Sequence, residues 1–166
     1  MTESSAFKLT YATMFNPPEE LHTRYEATLA QKKARLGEEY PMFIDGKEVK
    51  VDEKFEDRSP IDTGMVLGIF QKGNAETANL AVTAAKKAFP AWSHTPWEKR
   101  VELLRKTAAL MDERIYEFGV AMSLEVGKNR TEALGDAAET ADLIRYACDQ
   151  VEAHKDLCMR WDMTRW

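Results

Sequence analysis

Cys148 and Cys158 are the only thiols in this chain of 166 residues, so they are the first candidates for chemistry. A thiolate can attack a carbonyl carbon when a base and oxyanion donors accompany it. Cys148 shares the apolar face of a predicted helix with Ala141 and Ile144, which indicates a buried small side chain. His154 and Cys158 are four residues apart and could face each other on a helix, but a metal ion needs more ligands than this pair. We therefore assign no catalytic cysteine and no metal ligand.

The composition excludes several classes of protein. The net charge is −5, whereas general nucleic-acid binding requires a basic face. No apolar run approaches the roughly 20 residues of a membrane span. The N-terminal stretch MTESSAFKLTYATMF has neither the layout of a signal peptide nor that of a transit peptide. We expect a cytoplasmic protein with reduced thiols and no nucleic-acid, membrane or metal partner; in a eukaryote the mitochondrial matrix is the other compartment.

The stretch Ser-Leu-Glu-Val-Gly-Lys-Asn at 123–129 interrupts a long helical region. Gly127 can adopt the left-handed conformation that ends a helix, and Lys128 suits the negative end of a helix dipole. Asn129 can cap the helix that follows. The break therefore predicts two helices that meet at Gly127.

Short β-prone segments and then helices make up the rest of the chain. Asp45-Gly46 between two such segments predicts a hairpin, and further strands are predicted at 54–58 and 65–70. Asn74 is a predicted N-cap, and Pro90 is predicted to stop the helix that Asn74 begins. Thr95 and Glu98 have the spacing of a capping box, with Pro96 as the first helical residue. The predicted helices lie near 19–36, 75–89, 96–113, 114–126 and 129–152. No β–α–β alternation occurs, so the chain predicts no complete dinucleotide-binding sheet.

Several segments, taken in order, resemble the aldehyde dehydrogenase superfamily. The turn Ser-Pro-Ile-Asp-Thr-Gly at 59–64 resembles the family's Asn-Pro-x-x-Gly, with Ser59 in place of the usual Asn. The sequence Phe-Pro-Ala-Trp at 89–92, the sequence Trp-Glu-Lys-Arg-Val-Glu-Leu-Leu at 97–104 and the Glu-x-Gly-Lys segment at 125–128 also match. Tyr-Pro-Met-Phe-Ile-Asp-Gly at 40–46, preceded by an extra helix, narrows the resemblance to the branch that oxidises glutamate γ-semialdehyde, the 1-pyrroline-5-carboxylate dehydrogenases.

This resemblance implies an α/β fold of the aldehyde dehydrogenase type, of which the chain is an N-terminal fragment. The implied parent activity is the NAD-dependent oxidation of glutamate γ-semialdehyde to glutamate in proline catabolism. In the family, the nucleotide-binding sheet, the glutamate base and the nucleophilic cysteine all come later in the chain. The resemblance therefore implies that these residues alone are inactive and bind no NAD.

Two glutamates acquire possible roles from the resemblance. A family glutamate close to the semialdehyde pocket corresponds to Glu139, which implies substrate binding; a solvated or ion-paired helix carboxylate is the alternative. Glu125 falls where some members hold a monovalent cation through carbonyl groups, and we interpret it as an ordinary carboxylate at a helix end.

We divide the chain into a loose arm at 1–15, a dehydrogenase-like segment at 16–155 and an aberrant tail at 156–166. Back-translation of residues 159–166 in a shifted frame gives Glu, then Met or Val, then Gly, which resembles the family's continuation. A frameshift near Asp156 is therefore our interpretation of the tail. Two alternatives remain open: a non-catalytic module that pairs with full-length dehydrogenase subunits through the hairpin, and a deliberately shortened protein.

Overall fold

The computed structural model describes residues 16–154. A first helix, α1 (Glu19–Lys33), precedes five short strands and four further helices. The strands are β1 (Glu39–Tyr40), β2 (Met42–Ile44), β3 (Lys47–Val49), β4 (Lys54–Arg58) and β5 (Val66–Gln71). The helices are α2 (Ala75–Ser93), α3 (Trp97–Glu113), α4 (Ile115–Val126) and α5 (Arg130–Ala153). The predicted arm at 1–15, the tail at 156–166 and Cys158 lie outside the described residues.

The hairpin around Asp45-Gly46 is confirmed. Strands β2 and β3 pair antiparallel, with Ile44 opposite Lys47. Asp45 and Gly46 have φ of 54° and 71°, the left-handed values that a two-residue hairpin turn demands of both residues. The turn residues alone therefore specify this part of the fold.

The second sheet has the strand order β1-β5-β4, and its β1–β5 pair is parallel. The sequence did not predict this pair, because a two-residue strand carries no periodic pattern. Tyr40 and Phe55 stack on either side of Phe70, with ring centroids 5.2 and 5.8 Å from that of Phe70. The connection from β1 to β5 contains strands rather than a helix. The described residues thus match the predicted architecture of short strands and four helices, without a complete dinucleotide-binding sheet.

The end of α2 differs from the prediction, because the helix continues through Pro90 to Ser93. Proline removes one helical hydrogen bond and crowds the carbonyl four residues earlier, yet three further residues of α2 follow Pro90. The carbonyl of Pro90 accepts a hydrogen bond from Ser93 Oγ at 3.0 Å, which satisfies one of the last free acceptors. At the other end Asn74 caps the helix as predicted, since its side chain accepts from the backbone N–H groups of Glu76 and Thr77.

The capping box predicted for α3 is wrong. Pro96 is the residue before the helix, and no side chain caps the first turn. The hydroxyl of Thr95 instead donates to the carbonyl of Ala91 at 3.0 Å. Because α2 extends beyond Pro90, Thr95 satisfies the end of α2 rather than the start of α3.

The break between α4 and α5 is confirmed. Gly127 has φ of 73°, and its N–H donates to the carbonyl of Ser123 at 3.1 Å. Asn129 Oδ1 accepts from the N–H of Glu132 at 3.0 Å and caps α5.

The core forms where α1 and α5 pack on α4. It contains the buried side chains of Leu21, Tyr25, Val120, Leu124 and Leu134. A second contact, between α3 and α5, buries Cys148, whose Sγ lies 3.9 Å from the carbonyl oxygen of Val101. The prediction that Cys148 is a buried residue is confirmed.

Replacing Gly127 by alanine should destabilise the fold by about 1 kcal/mol, because an L side chain is strained at this left-handed φ. The opposite substitution effect is expected at Gly135, which lies within α5 and has no atom within 4 Å of an added Cβ. There alanine should stabilise by roughly 0.5–1 kcal/mol. Urea unfolding of Gly127→Ala and Gly135→Ala measures both effects, and a change of the same sign in both would contradict the assignment.

Acid should weaken the three-stranded sheet through Glu39. Lys54 Nζ donates to its carboxylate at 2.8 Å and Gln71 Nε2 at 3.1 Å. These hydrogen bonds, with the charge of Lys50, lower the pKa of Glu39 from 4.5 to about 2. A lowered folded-state pKa stabilises the fold fully above the unfolded pKa, and that contribution is lost as the pH falls to the folded pKa.

The urea midpoint of the unsubstituted protein should therefore exceed that of Glu39→Gln at pH 6, and the gap should close as the pH falls from 4.5 towards 2. If the difference between the two urea midpoints stays constant across this pH range, the charge of the Glu39 carboxylate contributes nothing to the free energy of unfolding.

Candidate functional site

Three segments that the sequence singled out come together in space; we call them the motif cluster. They are the turn at 59–64, the residues 124–128 at the end of α4, and the residues 136–140 in α5. Ser59 joins the first two: it is fully buried, and its Oγ donates to the carbonyl of Leu124 at 2.6 Å. The same Oγ accepts from the N–H of Ile61 at 3.3 Å, which shapes the turn. The buried hydroxyl therefore fixes the turn against the end of α4.

The turn also lies near Gly127. A Cβ at this position would lie 3.6 Å from Pro60 Cγ and 3.9 Å from Ile61 Cγ1, which is ordinary van der Waals distance. The turn thus covers the point where α4 ends and the chain enters α5.

Lys128 links this junction to α5 through a salt bridge with Asp136. The hydrogen bond that Lys128 donates to Asp136 raises the pKa of Lys128, and the charges of Asp136, Glu132 and Glu139 raise it further. The sequence analysis predicted for Lys128 only an interaction with the negative end of the α4 helix dipole. The ion pair with Asp136 was not predicted, because it forms across the junction between two helices.

Glu139 lies on the exposed surface of α5, one helical turn beyond Asp136. Its charge is one of those that raise the pKa of Lys128. The motif cluster therefore contains one cation, Lys128, which is paired with Asp136, and the exposed carboxylate of Glu139. A substrate with both ammonium and carboxylate groups is complementary to such a pair.

Glu125 lines an open cleft of about 150 Å³ between α1, the three-stranded sheet and α4. Leu67, Phe70 and Leu124 form part of its apolar lining, and Asp57 adds a second carboxylate. The residue is exposed at the end of α4.

The described residues lack one turn that is typical of dinucleotide sites. Dinucleotide sites place a pyrophosphate on a glycine-rich turn between a strand and a helix N-terminus. The left-handed glycines of residues 16–154 are Gly37, Gly46 and Gly127, and none follows a parallel strand in a β–α–β unit. The same residues contain no group of three or more histidine, cysteine, aspartate or glutamate side chains arranged for a metal ion. A search of the helices within 16–154 for one able to cross a membrane found none.

Replacing Ser59 by alanine should destabilise the fold by about 1–2 kcal/mol, because the carbonyl of Leu124 and the N–H of Ile61 both lose a buried partner. The control is Thr140→Ala, which removes an exposed hydroxyl that donates to the carbonyl of Asp136 at 2.8 Å. That change should stay within about 0.5 kcal/mol. Thermal unfolding of both variants measures the difference, and equal losses would contradict the role given to Ser59.

A model of the aldehyde dehydrogenase family matches residues 47–163 of this chain. Among curated proteins, the chain is 37% identical over 132 residues to a 1-pyrroline-5-carboxylate dehydrogenase of Geobacillus sp. (strain WCH70), covering 80% of this chain and 26% of that protein. It is 35% identical over 127 residues to 1-pyrroline-5-carboxylate dehydrogenase 2 of Bacillus subtilis (strain 168), covering 76% and 25%. The chain thus spans about a quarter of the length of these curated relatives.

Solved structures agree with the sequence matches. A variant of 1-pyrroline-5-carboxylate dehydrogenase from Thermus thermophilus superposes with a TM-score of 0.82 at 30% identity, covering 99% of this chain and 31% of that one. A Thermus enzyme of the same name with bound NAD gives a TM-score of 0.79 at 32% identity, covering 89% and 28%. The described fold therefore occurs within much longer chains.

Proposed function

Because this chain belongs to the aldehyde dehydrogenase family, we propose that it forms the N-terminal part of an NAD-dependent dehydrogenase that oxidises glutamate γ-semialdehyde to glutamate. The observation that carries the proposal is the similarity, over about four fifths of the chain, to proteins named 1-pyrroline-5-carboxylate dehydrogenase. Glu139 is proposed to contact the substrate, with Lys128 and Asp136 positioning the surface around it. The proposed compartment is the cytoplasm, where a thiol such as Cys148 stays reduced.

The chemistry of this reaction requires parts beyond those that residues 16–154 provide. Aldehyde oxidation through a covalent intermediate needs a thiolate, an oxyanion donor and a hydride acceptor held together. The described thiol, Cys148, is buried between α3 and α5 beside the carbonyl of Val101, where an aldehyde cannot reach it. We therefore propose that these 166 residues alone neither oxidise the semialdehyde nor bind NAD.

A direct assay tests the proposal that the 166 residues alone neither oxidise the semialdehyde nor bind NAD. The purified 166-residue chain is mixed with NAD and glutamate γ-semialdehyde, and NADH is followed by absorbance, while calorimetry follows NAD binding. We expect no NADH and no binding heat. A dissociation constant near 1 μM, which corresponds to about −8 kcal/mol, would contradict the proposal.

A chimera tests the proposal that the chain forms the N-terminal part of a semialdehyde dehydrogenase. The matching segment of the Geobacillus relative is replaced by residues 16–154, and the chimera is assayed with the semialdehyde and NAD. We expect activity, and we expect Glu139→Gln to raise KM more than it lowers kcat, since the proposed role is binding. Glu132→Gln is the matched control, because Glu132 lies on the same face of α5 two turns earlier. Equal effects of the two variants would contradict the role of Glu139.

A second candidate function is a non-catalytic module that pairs with full-length dehydrogenase subunits through the β2–β3 hairpin. The observation in its favour is Phe43, which is 71% exposed in a two-stranded sheet that has no further strand among the described residues. An exposed strand edge can accept a strand from another chain. Co-purification with the intact Geobacillus enzyme, lost in Phe43→Ser, would support this function over the first.

A further inference from the structure

The cleft beside Glu125 is lined by charges whose sign depends on the element that contributes them. The space of about 150 Å³ lies between α1, the three-stranded sheet and the end of α4. Its basic side chains, Lys32 and Arg35, both come from α1. Its acidic side chains come from other elements, Asp57 from β4 and Glu125 from α4. The lining is therefore divided into a basic part and an acidic part.

The rest of the lining is apolar. It consists of Leu36, Tyr40, Leu67, Phe70, Ala121 and Leu124. The rings of Tyr40 and Phe70 stack with their centroids 5.2 Å apart. Gly68 lies against both rings, because a Cβ there would lie 2.8 Å from Tyr40 Cε2 and 3.0 Å from Phe70 Cε2. The absence of a side chain at Gly68 thus lets both rings lie against β5, which fixes the aromatic part of the lining.

The two carboxylates of the lining are available to a ligand. Neither Asp57 nor Glu125 has a side-chain hydrogen bond or ion pair with another residue of the range 16–154. Glu125 is the second-to-last residue of α4, and the C-terminal end of a helix carries the negative partial charge of its dipole. The dipole and the two carboxylates all favour a positive group, so this part of the cleft is complementary to an ammonium group.

Of the two basic side chains, Lys32 is the one available to an anion. Arg35 is held by Glu38, to which it donates hydrogen bonds of 2.7, 3.0 and 3.1 Å. Lys32 Nζ lies 3.5 Å from Glu117 Oε2, whereas Arg114 donates to the same carboxylate at 2.9 and 3.1 Å. The hydrogen bond from Arg114 is also the first cause of the lowered pKa of Glu117. Glu117 is thus paired mainly with Arg114, and Lys32 can donate to a carboxylate in the cleft.

We propose that this cleft binds an α-amino acid with an apolar side chain, in its zwitterionic form. The ammonium group of the ligand meets Asp57 and Glu125, its carboxylate meets Lys32, and its side chain covers the apolar lining. Sites for drug-sized ligands occupy roughly 300–1,000 Å³, so a cleft of this smaller volume suits a single amino acid. The ligand meets the side chain of Glu125, and it is therefore distinct from the monovalent cation that some family members hold through carbonyl groups.

This site is separate from the one proposed for the semialdehyde. Glu139, which is proposed to contact that substrate, is not among the residues that line the cleft. The inference therefore does not depend on the proposed function, and the 166-residue chain is sufficient to test it.

Calorimetry of the 166-residue chain with L-leucine tests the proposal. We expect a dissociation constant at or below about 1 mM. Three analogues each lack one group of leucine: isoamylamine lacks the carboxylate, isocaproate the ammonium group and glycine the side chain. Each should bind at least about 10-fold more weakly, because one part of the lining then has no partner. The proposal is overturned if leucine does not bind or if any of the three analogues binds as tightly.

Substitution of Lys32 tests the basic part of the cleft. Lys32→Gln should weaken leucine binding by at least about 10-fold, because the ligand carboxylate loses its charged donor. Lys32→Arg keeps the charge and should retain most of the binding. The matched control is Lys33→Gln, which removes an exposed charge from the next residue of α1, outside the lining. Equal weakening by Lys32→Gln and Lys33→Gln would overturn the proposal.

A double variant tests the acidic part. Asp57→Asn with Glu125→Gln should weaken leucine binding by at least about 10-fold and leave the weak binding of isocaproate unchanged. The control is Asp52→Asn with Glu132→Gln, since both of these carboxylates are exposed and lie outside the lining. Glu139→Gln should also leave leucine binding unchanged. If Glu139→Gln abolished it, leucine would occupy the proposed substrate site and the present inference would be wrong.

The position of the ligand is read from amide chemical shifts in the NMR spectrum of the unsubstituted chain. Leucine should shift the amide signals of residues that line the cleft, among them Leu36, Asp57 and Phe70. Shifts confined to other parts of the chain would overturn the proposal. Urea unfolding shows whether each variant folds, and these shifts decide the question for any variant that does not.

Discussion

Replacing Tyr25 by alanine should destabilise the chain by about 4 kcal/mol, the range typical of a buried aromatic side chain. Tyr25 is buried in the core between α1 and α4, and its hydroxyl donates to Ser123 Oγ at 2.6 Å. The guanidinium of Arg130 lies 4.4 Å from the centre of its ring. Alanine removes the apolar contact, the buried hydrogen bond and the cation–π contact together. Because a domain of this size retains only about 5–15 kcal/mol of net stability, the substitution should remove between about a quarter and four fifths of it.

Urea unfolding followed by circular dichroism measures this loss. Tyr146→Ala is the control, because Tyr146 is 61% exposed on α5 and its removal should cost little. Tyr25→Phe separates the hydroxyl from the ring, and we expect about 1–2 kcal/mol for the hydroxyl. If Tyr25→Ala were no more destabilising than Tyr146→Ala, α1 would not be part of the core.

Replacing Leu134 by alanine should destabilise the chain by about 3 kcal/mol. Leu134 is 2% exposed and lies against Gly119 of α4, where an added Cβ would come within 2.6 Å of its Cδ2. The absence of a side chain at Gly119 therefore leaves the space that Leu134 fills. The two helices are already in close contact at this point, so they cannot move together to close a cavity. Truncation at Leu134 leaves a cavity that the surroundings cannot fill, and the cost of a cavity adds to the lost transfer free energy.

Leu143→Ala is the control for this prediction, since the same residue type at 143 in the same helix is 60% exposed. We expect its free energy of unfolding to change by no more than about 0.5 kcal/mol. Restoring part of the lost volume with Gly119→Ala in the Leu134→Ala background should recover stability. A further loss in that double variant would show that the two positions do not share one space.

The core and the motif cluster depend on the same two helices. Leu124 and Leu134 pack in the core, while the residues just beyond them form the ion pair of Lys128 and Asp136. Arg130, at the start of α5, also contacts His22 Nδ1 at 2.9 Å and pairs with Glu26, both in α1. The position of Glu139 is thus fixed through α5, which packs on α3 and α4 and is joined to α1 by Arg130.

Local features were predictable because their causes lie within a few residues. The Asp45-Gly46 turn, the Asn74 and Asn129 caps and the left-handed Gly127 each follow from the conformational preference of the residue or a hydrogen bond across one turn. The order of the sequence segments predicted the family, which the family match confirms.

Predictions failed where a local preference competed with a neighbouring element. Pro90 suggested a helix end, yet α2 continues for three residues beyond it, to Ser93. Thr95 had the spacing of a cap for α3, but the extended α2 offered the carbonyl of Ala91 as a closer acceptor. In both cases the additional residues of α2 provide the acceptors: the carbonyl of Pro90 binds Ser93 Oγ, and the carbonyl of Ala91 binds the hydroxyl of Thr95.

The tertiary structure alone decided which distant groups meet. The parallel pairing of β1 with β5, the bond from Ser59 to Leu124 and the ion pair of Lys128 with Asp136 join residues that no local pattern connects. The helical spacing of Leu80, Ala84 and Ala88 predicts an apolar stripe on α2 but not its exposure, because periodicity shows which residues share a face and not what covers it. Burial is a property of the packed elements, and it appears only when the distances between them are known.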